Sequence, residues 1–239
     1  YPDAQADVLE HISFTARPGE TTAIIGSTGS GKSTLLNLIP RFFDVSCGRI
    51  TIDGVDIREL SLHKLHSLLG YVPQKGVLFS GTIESNLKFG GADITDQAMR
   101  QAAAIAQAGD FIEAKPEGYQ SPIAQGGGNV SGGQKQRLSI ARAIAKNPKV
   151  YLFDDSFSAL DYKTDAALRR ALSQQVKDAA VIIVAQRIST ILHAQQIIVL
   201  DEGKVAGIGT HEELMASCPT YQEIARSQLS EAELGGAGA

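Results

Sequence analysis

One stretch decides the fold of this chain: AIIGSTGSGKST, residues 23–34. Its apolar start is typical of a buried strand, its centre fits the pattern G-x-x-x-x-G-K-[ST], and a helix-like segment continues to residue 39. Glycines let backbone N–H groups curl around phosphate oxygens, and the start of the following helix favours negative charge. The stretch therefore predicts a phosphate-binding loop, in which Lys32 reaches the terminal phosphates and Ser33 can ligate Mg²⁺. The predicted nucleotide contacts are Gly26, Ser27, Thr28, Gly29, Ser30, Gly31, Lys32, Ser33 and Thr34.

The composition is that of an ordinary globular protein. The chain has 239 residues, of which 43% are hydrophobic, enough to fill a substantial core. Its net charge of −4 provides no broad attraction to nucleic acid, and we predict no nucleic-acid partner. Cys47 and Cys218 match no metal-ligand spacing and favour a reducing compartment. The longest apolar runs, such as residues 181–185, are far shorter than the roughly 20 residues of a membrane-spanning helix.

The order of strand-like and helix-like segments predicts an α/β fold around a mostly parallel sheet. β-branched runs recur at residues 21–25, 48–52, 150–153, 181–185 and 197–200. Between about residues 75 and 146 these runs disappear, and the sequence there has helical character, which indicates an inserted helical subdomain. We predict a core from residues 1–74 and 147–227, a helical subdomain over 75–146 and a flexible tail over 228–239.

A second motif lies where the apolar run 150–153 ends at Asp154. In nucleotide hydrolases with such a phosphate loop, an Asp at this place is the expected second Mg²⁺ contact, the partner of the loop hydroxyl. A helix-capping Asp is the alternative, which the presence of both motifs in one chain disfavours. Together the motifs predict a site for a Mg²⁺-nucleotide, and whether the nucleotide is hydrolysed is a separate question.

A third motif points to a family. Residues 130–137, VSGGQKQR, resemble the signature VSGGQ-x-Q-R of ATP-binding cassette (ABC) ATPases and lie upstream of the Asp154 strand, as in that family. Ser131, Gly132 and Gly133 open a predicted helix, whose N-terminus is a second anion site. One nucleotide cannot occupy both sites. The resemblance implies that two such domains enclose two ATP molecules head to tail, with Gln134 among the contacts to the partner's ATP.

Other segments extend the resemblance over essentially residues 1–227. Tyr1 resembles the aromatic residue that stacks on adenine, although an ordinary surface tyrosine is the alternative. Gln74 resembles the glutamine whose amide oxygen reaches Mg²⁺ or the attacking water. Residues 158–161, SALD, resemble the loop that crosses the dimer interface, and Asp161 in it is a predicted nucleotide contact.

Two segments resemble the exporter type of the family: residues 78–83, LFSGTI, and residues 207–214, GIGTHEEL. The resemblance implies a P-loop core with flanking helices and an additional antiparallel β region. It also implies ATP and Mg²⁺ as ligands, a second nucleotide-binding domain as partner, and a membrane domain fused upstream of Tyr1. The expected location is therefore the cytoplasmic face of the cell membrane.

Two positions depart from the family pattern. Asp155 stands where the family has the Glu that polarises the attacking water; Asp is shorter by roughly 1.5 Å, and a misplacement near 1 Å can cost on the order of 10² in rate. Gln186 stands where the family has a His, and an amide cannot become cationic or shuttle a proton. We therefore predict that Asp155, Gln186 and Gln74 form a site that holds ATP and hydrolyses it slowly or not at all. The alternative is that Asp155 works through an intervening water.

A third departure is residues 121–128, SPIAQGGG, where exporters carry a Thr-x-Val-Gly-Glu stretch that meets the membrane domain. Gln125 replaces the acid, which indicates a weaker contact there or a flexible glycine loop. The signature is intact, so we predict a heterodimeric exporter in which the partner supplies the competent site. A fully active homodimeric exporter is the alternative. A cassette of DNA repair or translation is disfavoured because coiled-coil, zinc and basic insertions are absent from the sequence.

Overall fold

The structure is a computed structural model that describes residues 6–91 and 93–229. It divides into two compact units, which are described separately. The first unit combines residues 1–69 with 180–239, and the second unit is residues 70–179. Tyr1 and residues 230–239 of the predicted tail lie outside the described residues. The predicted domain boundaries stay a prediction.

The strands of the described residues are β1 (Thr21–Gly26), β2 (Thr51–Ile52), β3 (Val55–Asp56), β4 (Leu69–Val72), β5 (Gly81–Thr82), β6 (Pro122–Ile123), β7 (Val150–Asp154), β8 (Ala180–Val184), β9 (Gln196–Asp201) and β10 (Lys204–Gly209). The α-helices are α1 (Lys32–Leu38), α2 (Leu62–Leu68), α3 (Ile83–Leu87), α4 (Asp96–Ile105), α5 (Gly109–Glu113), α6 (Gly132–Ala145), α7 (Tyr162–Gln175), α8 (Ile188–Ile191), α9 (His211–Ser217) and α10 (Pro219–Gln228). Short 3₁₀ turns cover Ile57–Glu59, Lys88–Gly90, Gly118–Gln120 and Gln125–Gly127.

The first unit contains four sheet strands in the order β10-β9-β1-β8. β1 pairs in parallel with both β8 and β9, so that Ala23 lies between Ile183 and Ile197, whereas β10 is antiparallel to β9. All five residues of β8 are buried, as expected for a parallel strand covered on both faces. β1 ends at the partly exposed Gly26, and the phosphate loop begins there, at the carboxyl end of a central strand, where α/β folds place ligands. A separate antiparallel pair, β2 and β3, completes the strands of this unit.

In the second unit β7 lies beside β4, and β5 pairs antiparallel with β6. The helices of this unit include α4, which buries Met99, Ala102 and Ala103 on one face, and α6, which begins just after Ser131. The predicted α/β fold with a mostly parallel sheet and added antiparallel strands is confirmed. Within the described residues no helix is both long enough and apolar enough to span a bilayer.

Arg142 of α6 contacts residues 77–89, the part of the chain that follows Gln74. Its guanidinium donates to the carbonyl oxygens of Asn86 (2.9 Å) and Val77 (2.8 Å) and lies over the rings of Phe79 and Phe89. Burial lowers the pKa of Arg142 to about 10, so the side chain is still cationic at neutral pH. A half-buried charge is tolerated here because carbonyl oxygens and aromatic faces surround it.

The close approach of β1 to β9 at Gly26 provides a stability prediction. A Cβ atom at Gly26 would overlap the carbonyl oxygen of Leu200, its register partner on β9, and would lie 2.7 Å from Ser30 Oγ. Gly26→Ala should therefore lower the free energy of unfolding by about 1–3 kcal/mol, the usual cost of overpacking. The matched control is Gly109→Ala, because a Cβ there meets nothing within 4 Å. Denaturant unfolding of both variants checks this, and equal midpoints would contradict it.

Candidate functional site

The phosphate loop lies between β1 and α1 of the first unit. Gly31 is the N-cap of α1 with φ 95° and no side-chain cap, which leaves the first N–H groups of the helix without a side-chain acceptor from the N-cap. Lys32 Nζ donates to the carbonyl oxygens of Gly26 (2.9 Å) and Ser27 (2.7 Å), so the ammonium group lies over the loop. Strand, loop and helix thus follow one another as predicted, with the amine where a bound phosphate would need it.

Gln186 belongs to the same unit and follows β8. Its side chain is exposed, while its backbone is held by α10: Gln228 Nε2 donates to the carbonyl oxygen of Gln186 (2.8 Å), and Gln228 Oε1 accepts from the N–H of Ile188 (2.8 Å). The side-chain amide of Gln228 therefore fixes the backbone on both sides of Arg187. Gln228 was not among the predicted site residues, because nothing in the sequence links residues 42 positions apart.

In the second unit the structure brings Gln74 and Asp155 together. β7 ends at Asp154, and Asp155 follows in the left-handed region with φ 47°. Gln74 Nε2 donates to Asp155 Oδ2 at 3.1 Å. Both aspartates are nearly buried, 9% and 7% exposed. Burial, together with the nearby Asp154 carboxylate, raises the pKa of Tyr71 to about 12. Two of the three residues predicted to serve hydrolysis therefore contact each other directly.

Ser156 joins the two loops that carry these side chains. Its hydroxyl is fully buried and donates to the carbonyl oxygen of Val72 at 2.8 Å, at the end of β4. Asp155 in turn accepts at its carbonyl oxygen from the hydroxyl of Ser158 (2.8 Å). The turn after β7 is thus tied to the strand that precedes Gln74. Ser156 was not predicted, since a serine beside two aspartates has no distinctive pattern.

The signature residues form the start of α6. Ser131 is the N-cap: its Oγ accepts from the N–H of Gln134 (3.2 Å), while Gln134 Oε1 accepts from the N–H of Ser131 (3.0 Å). This reciprocal capping box fixes the first turn. Gly132 has open space where a Cβ would lie. A 14-residue helix with a fixed start and an uncrowded glycine can present its N–H groups to an anion.

Asp161 and the loop 121–128 have local structural roles in the described residues. Asp161 caps α7 and accepts from Thr164 at both the backbone and the hydroxyl, and these bonds lower the pKa of Asp161. Asn129 closes the loop, since its Nδ2 donates to Pro122 O (2.8 Å) and its Oδ1 accepts from Ala124 N (3.0 Å). Gln125 begins a 3₁₀ turn within that loop. The predicted contacts of Asp161 and Gln125 with partners stay predictions, and so does adenine stacking by Tyr1.

The predicted metal ligands fit Mg²⁺ by donor type. In the first unit Ser33 offers a hydroxyl, and in the second unit Asp154 and Gln74 offer a carboxylate and an amide oxygen; Mg²⁺ prefers such oxygen ligands. Among residues 6–91 and 93–229, no cluster of three or more His, Cys, Asp or Glu side chains could hold a metal ion. When bound, the ion would neutralise phosphate charge.

The phosphate loop, the strand-end aspartate and the signature helix define the class of P-loop nucleotide hydrolases. A family model described as ABC transporter matches residues 9–158, so the chain belongs to the ABC transporter family, as its ATP-binding ATPase domain.

The chain is similar to longer proteins of this family. It is 52% identical over 241 residues to an uncharacterized ABC transporter ATP-binding protein of Mycobacterium tuberculosis, covering 100% of the chain and 41% of the relative. It is 42% identical to a putative multidrug export ATP-binding/permease protein of Staphylococcus aureus, with coverage of 94% and 39%. A structure titled as a bacterial Atm1-family ABC exporter with ATP bound superimposes with a TM-score of 0.91 at 38% identity, covering 96% of the chain and 40% of that structure. The chain thus spans about two fifths of these proteins.

Proposed function

We propose that the chain is the domain that drives an ABC exporter. It binds Mg²⁺-ATP, pairs with a second nucleotide-binding domain around ATP, and couples ATP binding and hydrolysis to export. The observation that carries this proposal is that one chain forms both a phosphate loop, with Lys32 Nζ placed over it, and a separately capped signature helix that begins at Ser131. The likeness to the Atm1-family exporter and to the ATP-binding/permease relative supports export as the coupled process.

The membrane partner follows from the same relatives. The name of the Staphylococcus aureus relative combines ATP-binding and permease functions, and the chain covers about two fifths of the length of these relatives. We therefore propose a membrane domain joined to this domain and a position at the cytoplasmic face of the membrane, where ATP is available. Lys32, Ser33 and Asp154 would hold the Mg²⁺-nucleotide.

We further propose that the chain's own site hydrolyses ATP slowly and that its signature serves a competent site on a different partner domain. Asp155 and Gln186 replace the two groups that the family uses nearest the hydrolytic water. The intact capping box of Ser131 and Gln134 supports the function of the signature toward the partner.

A fully active homodimeric exporter is the second candidate. One observation favours it: the hydrogen bond from Gln74 fixes the orientation of the Asp155 carboxylate, and a fixed carboxylate could act on the nucleophile through one ordered water. The two candidates differ in the turnover of the isolated chain.

Turnover of the purified chain tests the proposal. We expect saturable binding of Mg²⁺-ATP, together with hydrolysis well below about 1 s⁻¹, the low end of the usual enzyme range. The rate should rise when a second nucleotide-binding domain that carries Glu and His at the positions of Asp155 and Gln186 is added. Phosphate release at about 1–10 s⁻¹ by the chain alone would favour the homodimer. Absence of ATP binding would contradict both candidates.

A further inference from the structure

Gln136 is a buried polar residue of α6 with no role in the site described so far. It is the second glutamine of the signature segment 130–137 and lies in the second turn of α6, where it is only 1% exposed. A buried amide is costly unless its hydrogen bonds are made, so its partners indicate why a glutamine is present.

Those partners are the two ends of the loop that carries Gln74. We call residues 73–76 the Gln74 loop. Gln136 Oε1 accepts from the N–H of Gly76 at 2.7 Å, and Gln136 Nε2 donates to the carbonyl oxygen of Pro73 at 3.1 Å. Among uncharged side chains of this length only an amide both donates and accepts in this way. Gln136 therefore closes the Gln74 loop from the side of α6.

Packing holds the same loop against the same helix. A Cβ atom at Gly76 would lie 2.9 Å from the carbonyl oxygen of Lys135 and 2.8 Å from Ser139 Oγ, so the backbone of the loop touches α6 directly. The loop has no room to slide toward the helix. A displacement of α6 by about 1 Å would either break the 2.7 Å bond or move the loop, because hydrogen bonds weaken steeply beyond their normal range.

The other end of this connection is Asp155. Gln74, in the middle of the loop, donates to Asp155 Oδ2, and the buried Ser156 hydroxyl ties the following residue to Val72 just before the loop. The connection from α6 to the Asp155 carboxylate therefore has two hydrogen-bonded steps. Gln136 binds both ends of the Gln74 loop, and Gln74, within that loop, binds Asp155. All of these residues belong to the second unit.

We propose that Gln136 is a positioning residue that couples the signature helix to the Gln74–Asp155 pair. The first turn of α6 is the predicted contact to a partner's nucleotide, so a shift of the helix on that contact is transmitted to the carboxylate of this chain's own site. The inference rests on the proposed function for the roles of Gln74 and Asp155 in ATP hydrolysis. Gln136 itself touches no nucleotide.

Hydrogen exchange in the nucleotide-free 239-residue chain tests whether Gln136 holds the Gln74 loop. Gln136→Met keeps the length of the side chain and removes both bonds, so the Gly76 amide should exchange about 10-fold faster or more, the equivalent of one lost hydrogen bond. Gln136→Asn, too short by a methylene to reach both ends, should act in the same direction and replaces Met if that variant does not fold. Ser173→Ala is the control, because it removes a hydroxyl that bonds within a helix of the same unit, to Arg170 O, but lies on α7 rather than on α6. Unchanged exchange at Gly76 in both Gln136 variants would overturn the proposal.

Steady-state ATP hydrolysis tests the coupling. Gln136→Met should lower kcat about 10-fold and leave KM within about 2-fold, since the phosphate loop is unaltered. The same substitution made in a Gln74→Ala background should have no further effect on kcat, because Gln136 acts through Gln74. An equal loss in both backgrounds would show a merely structural role and overturn the proposal. If the chain bound no ATP, the proposed function would fall, while the exchange result at Gly76 would still decide whether Gln136 holds the loop.

Discussion

Replacing Lys32 with alanine is expected to lower the affinity of the chain for ATP by about 10²-fold or more. The ammonium group lies over the phosphate loop and is anchored by the carbonyl oxygens of Gly26 and Ser27. A phosphate oxygen that replaces these acceptors makes a charge-assisted hydrogen bond, worth about 1.5–3 kcal/mol, and two such bonds account for the expected loss. Titration with a fluorescent ATP analogue in the presence of Mg²⁺ measures the effect.

The control for this prediction removes a lysine charge that lies outside the phosphate loop. Lys64→Ala removes the same charge from an exposed position on α2 of the same unit and should leave ATP affinity unchanged. Lys32 also bonds to its own loop, so thermal unfolding without nucleotide must accompany the titration. A Lys32→Ala variant that unfolds like the parent chain and still binds ATP equally well would refute the assignment of the phosphate loop.

The part of the site that could be predicted from the sequence is the part made by neighbouring residues. The phosphate loop, the aspartate at the end of β7 and the start of α6 are each encoded within about ten residues, so spacing alone locates them. Their strands were predicted for the same reason: β1, β8 and β9 are β-branched runs whose central residues are buried. β4 was missed because its sequence, LGYV, is short and contains a glycine.

The contacts that organise the site could not be predicted, because they join residues far apart in the chain. Gln74 and Asp155 are 81 positions apart, Gln136 and Pro73 are 63, and Gln228 and Gln186 are 42. Glutamines are common on protein surfaces, and no local pattern marks the one that is buried. The paired two-residue strands β5 and β6, inside a segment with no predicted strand, were missed because two residues carry no periodicity.

Restoring the family's residues at two positions should increase hydrolysis. We expect Asp155→Glu combined with Gln186→His to raise turnover by about 10²-fold, the factor associated with a correction of roughly 1 Å at a reacting group. Each single variant should change turnover much less, because groups that act on one water are not additive. The Gln186 side chain is exposed, so the structure accommodates a His there. Asp155 has a backbone φ of 47°, a conformation in which Glu is less favourable than Asp. Asp155→Glu should therefore lower the free energy of unfolding by up to about 1 kcal/mol. Phosphate release by the parent chain, both single variants and the double variant is the measurement.

The pH dependence of the double variant shows whether a rise in turnover depends on the introduced imidazole. An introduced His with an ordinary pKa near 6.5 changes its charge between about pH 5.5 and 7.5, so turnover that depends on it should change across that range, which the amide of Gln186 cannot cause. Asp155→Asn with Gln186→Asn is the matched control: it alters the same two positions without adding reach or an imidazole and should not raise turnover. If the restored double variant hydrolyses ATP no faster than the parent chain, Asp155 and Gln186 are not what limits hydrolysis, and the heterodimer proposal loses its main support.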